Sequence, residues 1–205
     1  LSSLGGKEML NSSSKNLSFR PYARLLSMLG DQLIKNEIVA LIELVKNSYD
    51  ADAKNCFVFF DIPTKIEKDS DGKTIEVPNK EKSILYIIDN GEGMTDNVIR
   101  EYWMKIGTGN KEKDYISDDK RTKTGAKGIG RFALDRLGFE TEMWTLSKKA
   151  KDNSASYWKM DWNQFDESEK AISDIEAELE PMELDIKDKL ITLTQNNRLV
   201  SETID

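Results

Sequence analysis

Glu43, Asn47 and Asp50 follow one another at spacings of four and three residues, and a helix gathers such positions onto one face. A carboxylate in that row can take a proton from water, and the amide can hold a metal ion through its oxygen. The same helical wheel places Ile38, Ile42, Val45 and Tyr49 on the opposite side, a stripe expected to pack on a core. Alone, a polar stripe on an amphipathic helix is usually a solvated face. Its meaning depends on what lies downstream.

Two further groupings lie downstream. Asp89 closes an apolar run, Ile84–Ile88, and is followed by Gly91, Gly93, Met94 and Thr95. A carboxylate at the end of a strand can accept a hydrogen bond from an amino-purine, and glycines beyond it let a ring approach the backbone. Next comes Gly125-Ala126-Lys127-Gly128-Ile129-Gly130, running into Arg131, Phe132, Ala133 and Leu134. Glycines at that spacing, entering a helix, turn backbone N–H groups toward an anion, and the helix N-terminus adds favourable potential for phosphate. No strand leads directly into it and no Gly-Lys-Ser/Thr is present, so it is neither a dinucleotide fingerprint nor a Walker loop.

The elements that must position these groups are legible as periodicities and breakers. Phe19–Leu29 is apolar enough for a short helix stopped by Gly30, and Asp31 is the expected cap of the helix carrying Glu43 and Asn47. Residues 55–61 and 84–88 are expected strands, with Asp71-Gly72 as a hairpin turn between them. Thr95 caps a helix reaching Trp103, and residues 106–127 form a long loop of the kind that serves as a lid. A helix over Gly128–Leu137 ends at Gly138. Phe139–Ser147 and Ser154–Met160 pair as strands, Asp166–Glu180 is an acidic helix closed by Pro181, and Lys189–Thr194 is a further strand or the start of a helix cut short. Residues 1–16 are small and polar, expected to be a flexible leader, and residues 17–205 a single domain.

Composition excludes several chemistries. The chain of 205 residues has no histidine and a single cysteine, Cys56, inside an apolar run. Ser-His catalysis, imidazole zinc sites and an internal disulfide are therefore absent, and a reducing, cytoplasmic location is expected. A formal net charge of −7 disfavours direct nucleic-acid binding and adsorption to anionic membranes. No apolar run approaches the roughly 20 residues of a membrane span.

Taken together and in order, the three groupings resemble the GHKL superfamily: DNA gyrase B, the ninety-kilodalton heat-shock chaperones, sensor histidine kinases and MutL-type repair proteins. Glu43, Asn47, Asp50 and Ala51 match its first motif, Asp89, Gly91 and Gly93 the second, and Gly125, Gly128 and Gly130 the third. The resemblance covers about residues 30–146 and looks closest to the MutL and chaperone branches. It implies an α/β fold, a two-layer sandwich of helices on a mixed β-sheet (the Bergerat ATP-binding fold). It implies ATP and Mg²⁺ as ligands, with Glu43 as general base and Asn47 as the metal ligand. Asp89 would bind the adenine amino group with help from Gly93 and Met94, supported by Asp50 or Ala51. The glycine loop, including Lys127 and Ile129, would cover the triphosphate. Thr108 is a further nucleotide contact by this resemblance, and Lys111, Arg121, Lys123 and Lys127 are candidates to neutralise the phosphates.

Two departures accompany the match. The family's fourth motif, a Gly-Thr pair opening a late strand, is not recognisable in these residues, nor is a transducer domain, and the chain is expected to be cut short before them. Hydrolysis by this chain alone is thus expected to be slow, with lid closure as the functional event. The leading expectation is an ATPase switch that drives a conformational change or a nucleotide-dependent homodimer, acting on a protein partner or client. A sensor-kinase catalytic module is the alternative, disfavoured by the presence of Glu43 and by the lack of a histidine acceptor. A non-hydrolysing nucleotide-binding module is the third reading.

Overall fold

The computed structural model of the chain describes residues 18–106, 117–123, 130–150, 155–167 and 169–182. Two helices open it, α1 (Arg24–Leu33) and α2 (Glu37–Asp50). Gly30 does not stop α1: it lies buried within the helix, where a Cβ would sit 3.6 Å from Phe132 Cβ. Asp31 does not cap α2 either. It belongs to α1 and pairs with Arg136 at 3.0 Å, while the Asn36 side chain accepts from Val39 N–H as the cap.

Strands β1 (Cys56–Asp61) and β4 (Ile84–Asp89) pair antiparallel, with Cys56 opposite Asp89. Between them, β2 (Thr64–Lys68) and β3 (Thr74–Pro78) form a separate hairpin, turning at Gly72 with φ +76°. That positive φ is the conformation the Asp-Gly pair predicts. After β4, Thr95 caps α3 (Asp96–Val98), which runs on as a wider π-helical turn over Ile99–Trp103. A 3₁₀ turn over Gly130–Phe132 opens α4 (Ala133–Leu137), and the backbone leaves the helix at Gly138. The last described sheet is β5 (Glu140–Leu146), β6 (Ala155–Asp161) and β7 (Glu178–Met182), in that order and antiparallel. Helices and β-sheets together give the α/β fold expected. Among the described residues no helix is long and apolar enough to cross a membrane.

The acidic helix expected over Asp166–Glu180 is not formed. Short 3₁₀ turns at Trp162–Asp166 and Ile172–Asp174 lead instead into β7, which sets Leu179 opposite Trp158 and Pro181 opposite Ser156. β6 offers hydrogen-bonding groups along its outer edge, and a strand there satisfies them. Proline, lacking an N–H, is tolerated because β7 is the outermost described strand of that sheet.

The face of α2 that turns inward is also not the one its apolar stripe suggests. Ile38, Ile42, Val45 and Tyr49 are all exposed, whereas Ala40, Leu44 and Ser48 are buried. Ala40 and Leu44 pack with Ile34 and Ala133, and Ile87 of β4 closes on the same cluster. The small side chains of Ala40, Ser48 and Ala133 permit this close approach of α2 to α4 and β4. A second cluster, around Ile99, Phe132, Trp158 and Trp162, holds β5–β7 against α1 and α3, with the Trp103 and Trp158 rings edge to face at 5.9 Å.

The expected leader (1–16) and the strand at Lys189–Thr194 lie outside the described residues, as does most of the loop 106–127.

Candidate functional site

The buried side of α2, carrying Ala40, Leu44 and Ser48, lies against β4, and the acid–amide face adjoins it. Ser48, the residue after Asn47, is buried, and its hydroxyl donates to Asp89 Oδ2 at 2.9 Å. Cys56 Sγ in turn lies 3.4 Å from Ser48 Oγ. The other carboxylate oxygen, Asp89 Oδ1, accepts from Gly91 N–H at 2.8 Å. Asp89 thus has both oxygens fixed in orientation while its side chain stays exposed. Each carboxylate oxygen retains a lone pair after accepting one bond.

The turn after β4 is sewn to the end of α2. Asn90 Oδ1 accepts from Lys54 and Asn55 N–H, both at 2.9 Å, and Glu92 N–H donates to the Ala51 carbonyl at 2.8 Å. Gly91 sits so close that a Cβ would meet the Ala51 oxygen at 2.8 Å. Gly93 has φ +65°, and a Cβ there would lie 2.1 Å from the Leu146 carbonyl oxygen. Met94 N–H donates to Thr145 Oγ1 at 2.8 Å, and Lys148 N–H to the Glu92 carbonyl at 2.9 Å. The turn is therefore clamped between α2 and β5. Gly93→Ala should cost about 3 kcal/mol of folding stability, since strain at a left-handed position adds to a backbone clash. A urea-unfolding midpoint equal to that of the unaltered chain would contradict the close approach.

The third motif meets the first at its only described glycine. A Cβ on Gly130 would lie 3.5 Å from both Nδ2 and Oδ1 of Asn47. Glu43, one turn earlier on α2, accepts from Lys46 Nζ at 2.7 Å. Asp50 and Ala51, half-buried, close the helix. Of the residues singled out in the sequence, Glu43, Asn47, Asp50, Ala51, Asp89, Gly91, Gly93, Met94 and Gly130 thus gather around the last turns of α2 and the β4 turn. Thr108, Gly125, Lys127, Gly128 and Ile129 lie outside the described residues, as does Lys111.

Arg121, one of the cations considered for the phosphates, is engaged at the C-terminal end of α2. Its Nη1 donates to the Ala53 carbonyl at 2.8 Å and to the Tyr49 carbonyl at 3.4 Å, and the guanidinium lies 5.0 Å from the Tyr49 ring centroid. A cation there meets the negative end of the helix dipole. Lys149 bridges Asp118 at 2.8 Å and Glu92 at 3.0 Å, and those two acids hold its ammonium above the ordinary lysine range. Arg131, beside Gly130, donates to the Tyr102 carbonyl at 3.1 Å and stacks over Trp103; burial pushes its pKa down to about 10.

Ser48, Asn90, Thr145 and Lys149 escaped the sequence reading. Ser48 carried one usable signal, a small polar residue at helical spacing from Ala40 and Leu44. The others act across long sequence separations and carried none.

A family model described as histidine kinase-, DNA gyrase B-, and HSP90-like ATPase matches residues 36–192. Similar proteins include the chaperone protein HtpG of Ruthia magnifica subsp. Calyptogena magnifica, 29% identical over 141 residues, which are 66% of this chain and 23% of that protein. HtpG of Campylobacter jejuni subsp. jejuni serotype O:23/36 is 31% identical over 149 residues, 70% of this chain and 24% of its own length. HtpG of Geobacter metallireducens is 36% identical over 85 residues, 42% of this chain and 13% of that protein. The chain spans less than a quarter of the length of these relatives.

Proposed function

The chain belongs to the family of histidine kinase-, DNA gyrase B- and HSP90-like ATPases, and from that premise we propose that it binds ATP at the α2–β4 site and hydrolyses it slowly. The observation that carries this reading is Asp89. Its carboxylate is held by Ser48 and Gly91, is exposed, and stands next to a turn whose Gly91 leaves no room for a side chain. An amino-purine can donate to such an acceptor and rest against the bare backbone. A guanine base would present a carbonyl there, so ATP is preferred over GTP.

Glu43 is the general base of this reading. It lies one turn from Asn47 on α2, so a water near that face would lose its proton to the carboxylate. The residues also fit a divalent cation of the Mg²⁺ kind. Among the described residues no group of three His, Cys, Asp or Glu could hold a metal unaided. A single amide oxygen from Asn47 suits an ion that keeps waters and takes phosphate oxygens as its other ligands. Such an ion, when bound, supplies charge neutralisation to the phosphates.

The presence of Glu43 favours a hydrolytic switch over phosphoryl transfer to a histidine. The switch would act through closure of the loop region 106–127 and association of two copies, as the sequence reading expected. The relatives named as chaperones favour a protein client over a nucleic acid.

Thermal melting of the chain with ATP or GTP, with and without Mg²⁺, tests the proposal. ATP with Mg²⁺ should raise the melting temperature in a concentration-dependent way and GTP should not. Equal shifts, or none, would overturn the reading. Asn47→Ala should weaken ATP binding about ten-fold in Mg²⁺, the scale of one lost hydrogen bond or ligand contact to a charged group. In EDTA the variant and the unaltered chain should bind alike. A loss of the same size in EDTA would remove Asn47 from the metal.

A further inference from the structure

Asp52 follows the C-cap of α2, two residues past the helix's last residue, and its side chain does something the helix does not need. The chain ends the helix there with φ +59°. Asp52 N–H donates to the Tyr49 carbonyl and Ala53 N–H to the Ser48 carbonyl, both at 3.1 Å. This is the Schellman arrangement, whose left-handed position is usually glycine. An aspartate tolerates that conformation less readily than glycine does. Its carboxylate is nonetheless buried, at 6% exposure.

The buried carboxylate grips a segment far along the chain. Ser117 Oγ donates to Asp52 Oδ1 at 2.5 Å, Asp119 N–H donates to Oδ2 at 3.0 Å, and Arg121 Nε lies 3.7 Å from Oδ1. Ser117 Oγ also accepts from Arg121 N–H at 2.9 Å, which closes a small turn on itself. The Ser117 hydroxyl first, then Asp119 N–H and Arg121, holds the Asp52 carboxyl below the ordinary aspartate range against the opposing effect of burial. The bonds therefore persist at neutral pH. A second tie runs from the same turn: Lys149 joins Asp118 to Glu92. Glu92 in turn donates its N–H to the Ala51 carbonyl, against which Gly91 packs. The turn 117–121 is thus fastened to the end of α2 through Asp52 and to the Asp89–Gly93 turn through Lys149 and Glu92.

We propose that Asp52 is a positioning residue for the nucleotide: it locks the turn 117–121 onto the end of α2 and so fixes the shape of the adenine pocket without touching the ligand. The inference rests on the ATP-site reading above. A pocket whose walls are tied beforehand loses less freedom on binding, and cutting the tie returns that cost as weaker affinity.

The backbone makes the test clean, because glycine suits φ +59° better than aspartate. Asp52→Gly removes the carboxylate and relieves strain together. ATP affinity by calorimetry should fall about ten-fold, the scale of losing a hydrogen bond to a charged group. In native-state hydrogen exchange, the Asp119 amide should lose protection in Asp52→Gly. Asp52→Asn keeps one oxygen acceptor and tolerates the left-handed region, so it should recover part of the affinity. Ser117→Ala should weaken binding as well, and the double variant with Asp52→Gly should be no worse than Asp52→Gly alone, because both cut one tie. A merely structural role would give additive losses and no recovery in Asp52→Asn. If Asp52→Gly does not fold, Ser117→Ala with hydrogen exchange decides the question. ATP binding left unchanged by both variants overturns this inference alone. An unaltered chain that binds no adenine nucleotide overturns the site reading, and this inference with it.

Discussion

Asp89→Asn is expected to abolish ATP binding while leaving the fold in place. The physical reason lies in the two bonds that already orient the carboxylate. Gly91 N–H can only donate, so the amide oxygen of an asparagine must face it, as Asp89 Oδ1 does at 2.8 Å. The new NH₂ group is then turned to the Ser48 side, where Asp89 Oδ2 accepts from the hydroxyl at 2.9 Å. The serine hydroxyl can reverse and accept, so the variant folds. The purine amino group, however, now meets a donor on that side. Losing a charged acceptor and leaving a donor facing a donor should together weaken binding about a hundred-fold or more. Calorimetry with ATP should show no saturable heat at concentrations that saturate the unaltered chain, with urea unfolding little changed. ATP affinity equal to that of the unaltered chain would remove Asp89 from the purine pocket.

The second large effect is at Glu43. Glu43→Ala should retain ATP affinity and lose turnover by a factor on the order of 100 or more, the usual contribution of a positioned general base. Glu43 sits on the same α2 face as Asn47, and its only described ion pair is with Lys46, three residues on and half-exposed. Lys46 is neither a metal ligand nor a purine contact in this reading, so truncating Glu43 disturbs the helix surface alone. Release of phosphate and ATP affinity, measured on the same preparation, separate the two roles. Losses of equal size in both would make Glu43 a binding residue and return the non-hydrolysing module as the better reading.

Asp52 shows why such experiments cannot be designed from motifs alone. It lies two residues beyond Asp50, off the four-and-three spacing of Glu43, Asn47 and Asp50, and no periodicity assigns it a role. Its partners Ser117 and Asp119 come from a segment more than sixty residues away, in the stretch that appeared as a patternless loop. Arg121 illustrates the converse. Its charge and position among lysines suggested a phosphate ligand, but the tertiary contacts turn it onto the end of α2 and the Tyr49 ring.

Local pattern by itself determined a good deal of this protein. The apolar runs at Cys56–Asp61, Ile84–Asp89, Glu140–Leu146 and Ala155–Asp161 are strands because β-branched and aromatic side chains repeat there between turn residues. Thr95 caps its helix because a hydroxyl reaches the N–H of Val98. The order and spacing of Glu43, Asn47, Asp89 and the glycines identified the family before any contact was known. Tertiary structure alone decided which surface of α2 is buried. The larger apolar side chains Ile38, Ile42, Val45 and Tyr49 stay exposed, because Ala40, Leu44 and Ser48 let α4 and β4 come closer. It also decided that Glu178–Met182 is a strand, since the open edge of β6 rewards pairing more than an isolated acidic segment rewards helix. Which helix face is buried, and which segment pairs with a sheet edge, depend on partners distant in the chain, and sequence-local propensity has no term for them.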